Sequence, residues 1–162
     1  MALAVLSWIM AIPLLGFITG LRMMTPVTVL CWFAWLGYLP VDGTWAFWAA
    51  KLPTALIFSA LAALEFFVDK RSKRLNRMAP WFLAARLIIA GLLGAIVAAA
   101  LNGAGFEGVF LTVACALAGA SCSHLFRREI VQWTGGKSWY IAVVEDVFAV
   151  GCAILAMGII TG

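Results

Sequence analysis

Arg22, Glu65, Asp69, Arg86, His124, Arg128, Glu145 and Asp146 all lie within, or at the ends of, long apolar stretches. A charge inside a bilayer costs about 2.5–3.5 kcal/mol on insertion scales, so each of these residues asks for a partner or a water-filled space. Glu145 and Asp146 make the sharpest demand. Adjacent residues on a helix point about 100° apart, so the two acids cannot share one interface, and their stems are too short to carry them far toward water. Acids held this way either exchange protons or cations, or are locked into ion pairs. Arg22 and Arg86 supply the opposite charge. Glu65 and Asp69 are one turn apart on one helix face, and His124 stands one turn before Arg127 and Arg128. The plainer reading has Arg22 and Arg86 snorkelling to headgroups, Asp69 and Lys70 as ordinary interfacial residues, and the lone histidine packed and hydrogen-bonded.

Signatures of catalysis are missing. The sequence holds no Gly-x-Ser-x-Gly elbow, no His-Glu-x-x-His and no phosphate-cradling glycine loop. His124 with Glu65, Glu145 and Asp146 does not follow any metal-ligand spacing, so neither a metal nor another cofactor is expected. Cys31, Cys115, Cys122 and Cys152 sit in apolar stretches, where thiols behave as small hydrophobes.

The elements that must position these residues are transmembrane helices. Of the 162 residues, 65% are hydrophobic and only 11% charged, against roughly half and about a quarter in soluble chains. That balance excludes a soluble domain, a disordered chain, a nucleic-acid binder and a secreted disulfide scaffold. A span needs about twenty mostly apolar residues, and residues 45–68, 81–101, 108–126 and 139–160 each provide one. Residues 3–39 would make a straight helix of roughly 55 Å, nearly twice the hydrocarbon thickness, so this stretch must break. Gly20, Arg22 and Pro26 mark the place, and Thr25-Pro26 is the expected discontinuity. The pieces on either side form two thin spans or one span and a re-entrant half-helix. The fold expected for residues 1–162 is therefore a single all-α transmembrane bundle of five to six membrane segments with a broken first helix.

The basic run from Lys70 to Arg77, with Arg127, Arg128 and Lys137, places two loops on the cytoplasmic side. Asp42, Glu107 and Gly162 then fall on the other side. Measured from the cytoplasmic ends, Arg86 is about 9 Å deep and Glu145 and Asp146 about 10 Å, so the ionisable residues share the cytoplasmic third of the membrane. Six segments in this orientation would divide into a 3+3 inverted repeat, the plan of many secondary transporters. Small-residue pairs, Gly16 with Gly20 and Gly91 with Gly94, suggest faces for a homodimer. Most of the eight tryptophans fall near span ends, as an aromatic belt would.

Gly20-Leu21-Arg22 followed by Pro26, Leu64-Glu65 with Asp69-Lys70, then Arg86, Ser123-His124 with Arg128, and Glu145-Asp146-Val147 resemble, in order over most of the chain, a bacterial integral-membrane family known as domain of unknown function 4126. Where that family usually has a proline shortly after the Asp-Lys pair, this chain has Arg71 and Ser72. The resemblance implies a multi-pass protein of the bacterial cytoplasmic membrane and marks the same polar residues, but it supplies no substrate. The residues themselves point to a small transporter or permeation pathway with a cytoplasm-facing polar chamber, taking an unknown small solute or ion and surrounded by lipid. The alternative is a structural or lipid-interacting protein whose buried charges only lock the bundle.

Overall fold

The computed structural model describes the backbone of residues 2–71, 80–103, 105–133 and 138–161, and the side chains of 10–68, 81–103, 105–123, 125 and 143–161. These residues are all-helical, with no strand. Six α-helices follow in order: α1 (Ala2–Leu21), α2 (Thr25–Trp35), α3 (Leu52–Arg71), α4 (Pro80–Ala100), α5 (Gly105–Trp133) and α6 (Ser138–Thr161), with a short 3₁₀ turn at Phe47–Ala50. Three segments, Trp81–Ala100, Gly105–Ser123 and Val143–Thr161, are long and apolar enough to cross a membrane. α2, Thr25–Trp35, is a shorter apolar helix, and the segments Met10–Leu21 of α1 and Leu52–Val68 of α3 are apolar as well. Large apolar side chains such as Ile88, Phe110, Val147 and Leu155 face outward, as lipid-facing residues do.

Proline and glycine chemistry sets most helix boundaries. Pro26 and Pro53 are each the second residue of a helix and Pro80 the first, positions where the missing N–H costs nothing and the fixed φ suits the helix. α2 stops at Gly37, whose φ of 79° lets its N–H reach Ala34 C=O while Tyr38 N–H reaches Phe33 C=O. The rings of Phe33 and Tyr38, 5.8 Å apart, supply the apolar contact that accompanies such a cap. α4 ends the same way at Asn102, φ 52°, with Gly103 N–H on Ala98 C=O.

Two sequence expectations shift here. Residues 45–51 are not α-helical: Trp45 and Ala46 form a turn, Phe47–Ala50 a 3₁₀ turn and Lys51 is extended, and the helix begins at Leu52, because Pro53 favours the first turn of a helix. The break in the first forty residues falls at Arg22–Met24, upstream of the expected Thr25-Pro26, for the same reason: Pro26 starts a helix more readily than it ends one.

α1 is the central helix, lying against α4, α5 and α6. Glycine allows this. A methyl group at Gly16 would come within 2.5 Å of Thr112 C=O, one at Gly94 within 2.5 Å of Gly108 C=O, and methyls at Gly20 and Gly119 would overlap Ala116 C=O and Phe17 C=O. Gly16, Gly20 and Gly94, expected to face a second chain, thus bring α1, α4 and α5 together within one chain. α2 pairs with α3 and also touches α6, whereas α5 packs chiefly on α1 and α4, so the two halves of the chain use their helices differently.

Candidate functional site

The site is the gap between α1 and α2. In an unbroken helix Met24 N–H would bond to Gly20 C=O. Here Met24 N–H donates to Glu65 Oε2 at 3.0 Å and Met23 N–H to Glu65 Oε1 at 3.1 Å. The abandoned Gly20 C=O accepts from Arg86 Nη1 at 2.8 Å. Each half of the interrupted bond is therefore taken by a charged group of matching sign. The carboxylate sits at the positive amino-terminal end of α2 and the guanidinium at the negative carboxy-terminal end of α1, so both bonds are charge-assisted and also favoured by the helix dipoles. Arg22 N–H still reaches Ile18 C=O at 2.7 Å, so α1 stays wound up to the break.

The Arg22 side chain forms an ion pair with Asp146 on α6. Arg22 is 2% exposed and Arg86 9%, which places both inside the bundle. Glu145, one residue earlier on α6, accepts a hydrogen bond from Ser123 Oγ of α5 at 2.9 Å. The two neighbouring acids therefore serve two different helices, as their angular separation requires. Above the break, α2 and α3 are linked by Thr28 Oγ1, whose proton is shared between Met24 C=O and Phe58 C=O at 2.9 Å each, and by Trp32 Nε1 donating to Ser59 Oγ at 3.0 Å.

These contacts define one layer. Glu65 and Arg86 are each about 9 Å from the nearest ends of α3 and α4, Glu145 and Asp146 about 10–12 Å from the start of α6, and Ser123 about 15 Å from the end of α5, at the helical rise. All those ends lie on the same side of the bundle. The turn joining α1 to α2 lies at that level, with Arg22 buried and Met23 and Met24 half-buried. The backbones of Asp69, His124 and Arg128 belong to α3 and α5, but their side chains lie outside the described residues, as do those of the basic runs 70–77 and 127–137.

Sequence reasoning named the charged residues and missed their backbone partners, together with Thr28, Trp32 and Ser59. Ser123 had a usable signal. It closes the small-residue run that begins at Gly119, and Gly119 lies directly against Phe17 of α1. Among the described residues no three His, Cys, Asp or Glu side chains converge as metal ligands. Compared with known proteins, the chain matches no family model, no curated protein and no solved structure.

Chemically, the layer offers carboxylates held in a low-dielectric setting beside fixed guanidinium groups and oriented backbone dipoles. Such carboxylates can exchange a proton or a small cation against a countercharge that stays in place.

Proposed function

We propose that the chain is a multi-pass protein of the bacterial cytoplasmic membrane that passes protons or small cations through this layer. Glu145 and Asp146 are the responding carboxylates and Arg22 the fixed countercharge. One observation carries the reading: a helix broken within the bundle, its freed backbone groups and an adjacent acid pair all at one depth. Transporters place their ion and substrate sites at such breaks. Glu65 and Arg86 have a different part, since both hold the backbone of the break. The ends of α3 and α5 nearest the layer carry Lys70, Arg71, Arg127 and Arg128, which supports a cytoplasmic position for it. Five to six membrane segments belong to this reading, with α1 and α2 forming the re-entrant pair, and the resemblance to domain of unknown function 4126 fits it without adding a substrate.

The bonds of Glu65 and Arg86 to backbone favour a second reading, in which the charges only lock the bundle. Purified protein in liposomes loaded with a pH-sensitive dye separates the two. Under an imposed pH gradient, permeation predicts that wild type dissipates the gradient faster than empty liposomes and that Glu145→Gln slows this by about tenfold or more at nearly unchanged melting temperature. A lock predicts that wild type holds the gradient as empty liposomes do and that Glu145→Gln melts earlier.

A further inference from the structure

A helix broken inside a membrane bundle offers two ligand seats, the freed N–H groups of its second half for an anion and the freed C=O groups of its first half for a cation. Here the chain fills both with its own side chains. Glu65 takes the anion's seat, accepting from Met23 N–H at 3.1 Å and Met24 N–H at 3.0 Å. Arg86 takes the cation's seat, with Nη1 2.8 Å from Gly20 C=O. Neighbouring carbonyls are engaged as well: Ile18 C=O accepts from Arg22 N–H, and Met24 C=O from the N–H and Oγ1 of Thr28. A metal cation must exchange its hydration shell for several protein oxygens. At this break it would meet carbonyls already bonded to the chain's own donors, and two buried guanidinium groups, Arg22 and Arg86, whose charge repels it.

A proton makes neither demand. It needs no coordination shell, and on a carboxylate it cancels a charge already there. The acids of the layer differ in how well they can take one. Glu65 is held by amides, which only donate, so keeping both of its bonds charge-assisted requires the ionised form. Glu145 is held by the Ser123 hydroxyl at 2.9 Å, which donates to a carboxylate and, after turning about its C–O bond, accepts from a carboxylic acid. That contact survives in either state. We infer that the layer selects protons over metal cations and anions, and that Arg86 is the residue that denies a cation its seat. In loading, a Glu145 oxygen takes a proton from a hydronium ion and leaves water; in release the acid returns it to water, so no further reactant is needed. This inference rests on the permeation reading and narrows its substrate to one class.

Ion fluxes into liposomes holding the purified full chain test it. Dissipation of a pH gradient is followed with the voltage clamped by potassium and valinomycin, and uptake of radioactive sodium and rubidium is followed separately without the ionophore. Wild type should dissipate the gradient while taking up sodium and rubidium no faster than empty liposomes do. Arg86→Gln, which opens the seat on Gly20 C=O, should raise rubidium uptake by about tenfold or more, whereas Arg86→Lys, which keeps the charge, should not. Sodium or rubidium uptake by wild type above that of empty liposomes overturns the selectivity and leaves the permeation reading in place. Wild type that passes none of the three ions overturns both. An Arg86→Gln protein that melts as wild type does and still takes up no rubidium removes Arg86 as the excluding residue, and the wild-type comparison decides the selectivity whether or not that variant folds.

Discussion

Replacing Gly119 by alanine is expected to abolish assembly of the bundle or to lower its melting temperature more than any other single methyl addition. The new methyl would overlap Phe17 C=O and come within 3.2 Å of Phe17 Cα. Both atoms belong to the backbone of the central helix, so no side-chain rotation relieves the clash, and α1 must move away from α5. Overpacking a well-filled core costs about 1–3 kcal/mol where side chains can adjust, and a backbone clash belongs at or above the top of that range. The same separation pulls Gly20 away from Ala116 and weakens the seat of Arg86 on Gly20 C=O. Gly151→Ala is the matched control on α6: nothing lies within 4 Å of a methyl there, and alanine is the better helix former by about 1 kcal/mol. Thermal unfolding in detergent, followed by far-UV circular dichroism, should show a large loss for the first variant and none for the second.

The second large effect concerns the ion pair of Arg22 and Asp146. Removing one partner of a buried pair leaves the other charge stranded, at a cost of about 3–5 kcal/mol, whereas removing both and filling the space with apolar side chains is often neutral. The two single variants should differ. The Arg22 side chain is 3% exposed and that of Asp146 20%, so the acid has some access to a polar surface and the guanidinium almost none. Asp146→Leu, which strands the arginine, should therefore be worse than Arg22→Met, which strands the acid. The double variant should recover most of the loss. Melting temperatures of the four proteins complete a double-mutant cycle, and purely additive losses would mean that the pair contributes nothing as a pair.

Much of this site was legible before the fold, for identifiable reasons. The long apolar runs gave α4, α5 and α6, and chain length against bilayer thickness required a break near Arg22. Counting along helices placed Glu65, Arg86, Glu145 and Asp146 at one depth. That arithmetic depends only on helical rise, so packing could not upset it. What each charge touches depends on packing. Whether Arg86 meets a carboxylate or the C=O of Gly20 is set by how closely α4 approaches α1, and that approach is set by glycines whose intramolecular use the sequence does not reveal. Gly16 and Gly94 read equally well as faces for a second chain. Residues 45–51 misled because Trp45, Phe47 and Trp48 extend the apolar run of α3, while Pro53 moves the helix start forward.

The central claim is that Glu65 holds open a break in the backbone between α1 and α2, and amide hydrogen exchange at Met23 and Met24 in liposomes tests it most directly. Both N–H groups lie outside helical ladders and bond to a side chain. They should exchange as slowly as amides inside α1, and in Glu65→Ala they should exchange as fast as those of the turn at residues 42–44 while α1 remains protected. Fast exchange of both amides in the wild type, or unchanged protection in Glu65→Ala, would contradict the account.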